Sequence, residues 1–151
     1  MTEVLAPCPG TVLPLEQIPD PVFAGAMVGA GVGLTPDAEP TTVRAPITGR
    51  VVKAHPHAFV IAGEDGVGVL VHLGINTVAL DGAGFTVHAA TGDSVQVGDP
   101  MVDWDPSTLP EEAGGKEISP VVPVIVLDAP AEAISGAADG RVAGGETLFR
   151  R

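Results

Sequence analysis

The sequence predicts an all-β chain, an antiparallel β-sandwich of the barrel-sandwich kind with an internal pseudo-repeat and one or two short helices. Three observations carry this expectation. Glycine and proline are abundant, 20 and 15 of 151 residues, and such dense punctuation cuts a chain into short extended runs. The apolar runs are brief, rich in valine and bounded by turn residues, with few stretches of helical period. The chain also resembles itself. Ala6-Pro7-Cys8-Pro9-Gly10-Thr11-Val12 returns as Ala45-Pro46-Ile47-Thr48-Gly49-Arg50-Val51, both A-P-x-x-G-x-V, and Val95-Gln96-Val97-Gly98-Asp99 returns as Val142-Ala143-Gly144-Gly145-Glu146, both V-x-x-G-acid. In each second motif the glycine supplies the positive φ of a turn. Two pairs in the same order imply two similar halves, each opening with a Pro-Gly turn into a strand and closing with a turn into another, which gives two related sheets.

Taken in order, strands are expected at 4–6, 11–14, 32–35, 42–45, 49–54, 57–62, 67–73, 85–88, 101–105, 120–127, 140–142 and 147–150. Helix signals are confined to 105–112, where Asp105 precedes Pro106, and to 130–134. Residues 36–40 and 114–116 read as exposed loops without chemical content. A hydrophobic share of 45 % is enough apolar surface to offset the entropy of ordering, so the chain folds, and its length fits a single domain over 1–151.

Charge and aromatic content narrow the partners. Seven Lys and Arg against 19 Asp and Glu leave a net charge of −12, which repels phosphate backbones and anionic lipid headgroups. Four Phe, one Trp and no Tyr offer almost nothing for stacking bases. Neither nucleic acid nor direct membrane insertion is expected. Cys8 has no internal partner, the N-terminus lacks a basic, apolar leader, and no run approaches the roughly 20 apolar residues of a spanning helix. A soluble, cytoplasmic protein is expected.

The segment 57–72 reads as a hairpin around Gly63-Glu64-Asp65-Gly66. With Glu64 and Asp65 at the tip, His57 and His72 oppose each other directly, their Cβ atoms about 4.5–5.5 Å apart. With Asp65 and Gly66 at the tip they are diagonal neighbours at roughly 7–8 Å, still on one face. A three-residue loop without a compensating bulge sends them to opposite faces. In the two-residue registers Phe59, Ile61 and Leu70 share the histidines' face, while Val60, Val69 and Val71 line the other. Apolar surroundings disfavour imidazolium, so both rings are expected to be neutral near pH 7. One neutral ring can attack an electrophile while the other donates a hydrogen bond. For a phosphoryl group that donor helps hold the anionic oxygens, and an apolar rim keeps out hydrolytic water. The H-x-H of His55-Pro56-His57 opens a competing reading, a zinc-dependent hydrolase on a β-scaffold, although Pro56 disturbs the strand and the spacing offers no third ligand. No metal or cofactor is assigned.

Gly66-Val67-Gly68-Val69-Leu70-Val71-His72-Leu73-Gly74-Ile75-Asn76-Thr77-Val78-Ala79-Leu80 resembles the active-site histidine signature of the glucose-type enzyme IIA family of the bacterial phosphoenolpyruvate-dependent sugar phosphotransferase system. Pro19-Asp20-Pro21-Val22-Phe23-Ala24, followed by Met27-Val28-Gly29, is similar to the family's P-D-x-V-F-A segment, and His57-Ala58-Phe59 to its second-histidine segment. The resemblance runs from about residue 4 to 149. It implies that His72 accepts a phosphoryl group from the histidine-containing phosphocarrier protein and passes it to a cysteine of the IIB domain of a sugar permease, with His57 assisting. It also implies an apolar docking face shared by successive partners. Val22 and Phe23 lie on it, with Phe59, Leu70, Gly74 and Asn76 around the acceptor, and Asp20 sits on its rim where it can pair with a partner arginine.

Several positions depart from the family pattern. The residue two before the assisting histidine, commonly threonine and part of a hydrogen-bond network, is His55. The residue two after Gly74, commonly aspartate, is Asn76, and the residue two before the acceptor, often phenylalanine, is Leu70. The lipid-touching N-terminal arm of some members is not expected, since the first strand is placed at about residue 4, and in the family sugar choice belongs to the membrane subunit. A third reading is a regulatory binding module for other target proteins, whose affinity changes when His72 gains negative charge. His88 has no partner from spacing and reads as a surface residue.

Overall fold

The computed structural model describes residues 2–151, arranged as β1 (Glu3–Leu5), β2 (Gly10–Leu13), α1 (Pro21–Ala24), β3 (Gly29–Pro36), β4 (Thr41–Arg44), β5 (Gly49–His55), β6 (Ala58–Ala62), β7 (Gly68–His72), β8 (Thr86–Val87), β9 (Ser94–Val95), β10 (Pro100–Trp104), β11 (Glu112–Ala113), β12 (Lys116–Glu117), β13 (Val122–Leu127), β14 (Arg141–Val142) and β15 (Thr147–Arg150). Eight of these strands form one antiparallel sheet in the order β14-β2-β3-β13-β7-β6-β5-β9. A three-stranded sheet β4-β10-β8 and the pair β1-β15 complete the sandwich, and β11-β12 is a small hairpin. The architecture is the all-β sandwich read from the sequence.

Side-chain alternation explains how the large sheet buries its inner face. In β7, Val69 and Val71 are fully buried while Gly68, Leu70 and His72 point outward. Their cross-strand neighbours Phe59, Ile61, Val124 and Val126 join them in one core with Leu34, Val51, Leu148 and Phe149. A second, smaller cluster lies on the outer face, where Ile18 and Phe23 from the segment 14–28 pack on Ile75, Val121 and Ile125, with Leu70 at the margin. That cover is why β3 and β13 are buried on both sides and read as near-continuous apolar runs.

The two halves suspected from the repeats are related by a pseudo-twofold axis between β7 and β13. The sheet order is a palindrome under exchange of β14 with β9, β2 with β5, β3 with β6 and β13 with β7. Gly10 pairs with Val142 as Gly49 pairs with Val95, and Thr11 with Arg141 as Arg50 with Ser94. The N–H of Gly145 donates to Ala6 and that of Gly98 to Ala45, both at 2.9 Å. The halves are clasped by crossed bonds, Leu5 N–H to the Pro46 carbonyl at 3.0 Å and Arg44 N–H to the Pro7 carbonyl at 2.9 Å. The repeated glycine has a physical cause, because a Cβ at Gly10 would fall 2.3 Å from the Thr35 carbonyl oxygen and one at Gly49 would fall 2.1 Å from that of Ala62.

Most differences in the pattern of elements are short pieces. β9, β11 and β12 are two residues each, below the length at which alternation is visible. Of residues 114–116, expected as a featureless loop, Gly114 and Gly115 form the turn of the β11–β12 hairpin and Lys116 opens β12. In the other supposedly silent loop, Asp37 makes a bidentate ion pair with Arg141 at 2.6 Å, which holds its carboxyl below the usual range. The helices expected at 105–112 and 130–134 are single 3-10 turns, Pro106–Thr108 and Ala131–Ala133. α1 was not foreseen.

Candidate active site

The site begins with a turn that differs from both two-residue registers. Gly63 N–H donates to the Val67 carbonyl at 3.0 Å and Gly66 N–H to the Gly63 carbonyl at 2.9 Å, leaving Glu64-Asp65-Gly66 as a three-residue tip. Gly66, at φ +80°, supplies the left-handed residue that closes a hairpin of this length. The change of one residue reverses the faces. His72 stands opposite Ala58, Leu70 opposite Val60, and Phe59 and Ile61 turn inward opposite Val71 and Val69. Phe59 is 1 % exposed within the core, so its side chain offers a partner almost no surface. Its ring supports the hairpin from below.

The histidines meet all the same, because His57 is not on a strand. The last pair of the β5–β6 hairpin is His55 with Ala58, and Pro56-His57 form the turn between them. A turn residue escapes the alternation of the ladder, and the His57 carbonyl is held by the N–H of Leu73 at 2.7 Å. The His57 and His72 ring centroids lie 5.2 Å apart at 72°. On the other side, the edge of Phe23 meets His72 at 5.5 Å and 61°, while His55 stacks on His57 at 5.8 Å and 25°.

His72 Nδ1 lies 2.5 Å from the Gly74 carbonyl oxygen. A carbonyl only accepts, so Nδ1 carries the proton and Nε2 keeps a free lone pair. Gly74 is at φ +86°, and a Cβ there would lie 2.5 Å from Thr77 Cγ2 and 2.8 Å from the Ser119 carbonyl oxygen. Thr77, fully buried, donates its hydroxyl to the Leu73 carbonyl at 2.7 Å. Asn76 adopts a left-handed backbone at φ 63° and donates its side-chain amide to the Glu117 carbonyl at 2.8 Å, tying the site to the β11–β12 hairpin. Burial holds the His72 imidazolium below its usual range, against the opposing pull of the Gly74 bond and the Asp20 charge. Burial, helped by the neighbouring His72 and His55, pushes His57 down to about 4. Both rings are neutral at pH 7, as expected from sequence, although the surroundings differ in detail.

The remaining expected residues form an arc around the pair. Asp20 caps α1, accepting the N–H of Val22 at 2.8 Å and of Phe23 at 3.4 Å, with Pro21 in the first turn. The cap aims Phe23 at His72 and leaves Val22 46 % exposed. Leu70, half-buried, adjoins a cavity of about 360 Å³ also lined by Val52, Lys53, His55, Val60 and Leu127. His55, Thr77 and Met27, which is 76 % exposed beyond α1, complete the surroundings; the D-P pair was a legible cap signal. Among the described residues no group of three His, Cys, Asp or Glu side chains is placed to hold a metal ion, so the zinc reading lacks its third ligand. His88, expected to be unpartnered, binds Asp103 at 2.9 Å, and Thr42 donates to the same carboxylate at 2.7 Å.

Comparison with known proteins places this geometry. The model of the EIIA 1 family of the phosphoenolpyruvate-dependent sugar phosphotransferase system matches residues 2–131. The glucose-specific EIIA component of Oceanobacillus iheyensis is 40 % identical over 125 residues, covering 82 % of this chain and 72 % of the relative. A glucose-specific EIIBCA component of Corynebacterium glutamicum is 34 % identical over 129 residues, 85 % of this chain but 18 % of that longer protein. The solved structure of glucose permease IIA from Mycoplasma capricolum superposes with a TM-score of 0.84 at 32 % identity, covering 98 % of this chain and 94 % of that one. Fold and kinship together define a phosphocarrier of sugar uptake. The chain belongs to the EIIA type 1 family of the sugar phosphotransferase system. No helix among the described residues is long and apolar enough to cross a membrane.

Proposed function

We propose that His72 is the phosphoryl acceptor and His57 its assisting donor, in a cytoplasmic phosphotransferase component that is loaded by the histidine-containing phosphocarrier protein and discharged to the IIB domain of a glucose-type permease. The observation that carries this reading is the contact of the two rings at 5.2 Å with the Nδ1 proton of His72 committed to Gly74. In the loading step the Nε2 lone pair forms a bond to phosphorus as the N–P bond of the donor breaks, and the donor ring keeps that electron pair. In the discharge step a cysteine thiolate of IIB attacks phosphorus, and Nε2 of His72 recovers its pair. His57 donates its N–H to a phosphoryl oxygen through both steps, and the rest of the catalysis is position and local electrostatics. The IIB partner is supported by relatives in which EIIA is fused to IIB and IIC, and the glucose class by relatives so named.

The test is incubation with phosphoenolpyruvate, enzyme I and the phosphocarrier protein, read by intact mass and mapping of the modified histidine. One acid-labile phosphate on His72 is expected. His72→Gln abolishes uptake, whereas His57→Gln still loads but passes the group onward at least about 100-fold more slowly. Full loading of the His72→Gln chain refutes the assignment.

A further inference from the structure

We propose that His55 is a positioning residue for this phosphoryl transfer: seated against the ring of His57, it fixes the plane in which His57 meets the phosphoryl group on His72. The inference rests on the phosphocarrier reading above and extends it to a third imidazole. His72 is held by its bond to Gly74. His57 sits in a turn, and among the described residues neither of its ring nitrogens is hydrogen-bonded within the protein. Its orientation therefore depends on flat neighbours. His72 meets it edge-on at 72°, which leaves rotation about the side-chain axis open, and the near-parallel ring of His55 at 25° closes that freedom. His55 is itself fixed at the end of β5 by its pairing with Ala58. The three rings form a row, stacked and then crossed, with only the last committed to a backbone acceptor.

A second effect follows from the same contact. A dianionic phosphoryl group on His72 draws a proton toward His57, and whenever His55 carries a positive charge against that ring it opposes a second one. His57 then serves as a neutral donor, which holds the phosphoryl group without trapping it. The ionisable groups acting on the pair are His72 from β7 and, through His72, Asp20 at the head of α1, while Lys53 on β5 lines the cavity beside His55.

Two substitutions separate plane from charge. His55 is exposed, so both are compatible with folding. His55→Phe keeps a flat ring that never protonates, and His55→Ala removes ring and charge together. With wild-type protein as reference, His72 loading, the rate of discharge to IIB from pH 5.5 to 8, and the NMR titration of the His57 ring are measured. His55→Ala is expected to load fully yet discharge roughly ten-fold more slowly at pH 8. His55→Phe restores the pH 8 rate to within about two-fold, while its His57 titration moves up slightly, burial and His72 still holding it low, and the acid limb of its rate profile moves with it. Loading of the wild type with an unchanged discharge profile in His55→Ala overturns the inference and leaves the phosphocarrier reading standing. A wild-type chain that takes up no phosphate overturns both.

Discussion

The free Nε2 of His72 depends on one backbone carbonyl, and that carbonyl depends on a residue without a side chain. Gly74 turns its oxygen onto Nδ1 in a left-handed conformation in which a Cβ would run into Thr77 and Ser119. Gly74→Ala is expected to cost about 1–3 kcal/mol in urea unfolding and to reduce the fraction of His72 that can be loaded, because the tautomer is no longer fixed. Wild-type stability and loading in that variant would show the acceptor to be oriented by something else. At this scale the sequence was informative about identity and less so about role. His57 and His72 stood out as a pair, but the service of Gly74 as acceptor, Thr77 as strut and His55 as stacking neighbour lies in three-dimensional contacts that spacing does not encode.

The β6–β7 hairpin shows how a single residue in a turn decides which side chains a partner can touch. Gly63-Glu64-Asp65-Gly66 is compatible with tips of two or three residues, and the alternation of a strand converts that difference into a complete exchange of faces. Phe59 therefore supports the sheet, and Leu70 borders the exposed site. Phe59→Ala is expected to destabilise the fold by about 3–5 kcal/mol, measured by chemical denaturation, with loading preserved in whatever fraction stays folded. Leu70→Ala is expected to leave stability nearly unchanged and weaken docking. The opposite ranking would mean that the register is wrong. His57 reached its partner through the Pro56-His57 turn, a route the strand-based reading did not contain. α1, at four residues, is too short to show periodicity and was betrayed only by its Asp-Pro cap.

At the scale of the molecule, two imidazoles that resist protonation make stability depend on pH. The unfolded chain protonates His57 near 6.5, the folded one only near 4. As pH falls through this window the unfolded state binds more protons and gains on the native state, and below about 4 the penalty is complete. Urea midpoints are expected to decline from pH 7 to pH 4.5 and to decline less in His57→Gln; a flat or rising profile would contradict the burial of the rings. Asp65, lowered to about 2 by its bonds to Arg151 and Val67, acts at a lower pH and leaves that window to the histidines. The overall plan was the most legible feature of the sequence, since the A-P-x-x-G-x-V and V-x-x-G-acid repeats mark backbone contacts that recur in both halves.

That duplicated plan carries one asymmetry of consequence. The axis between β7 and β13 passes at the Val71–Val124 pair, and so carries Leu70 onto Pro123 and His72 onto Ile125. It carries His57 onto Ala30, which stands opposite Val126 just as His57 stands opposite Leu73. The scaffold thus offers two matching berths and arms one of them. Aliphatic side chains silence the other, so on the proposed reading each molecule carries a single phosphoryl group at a time.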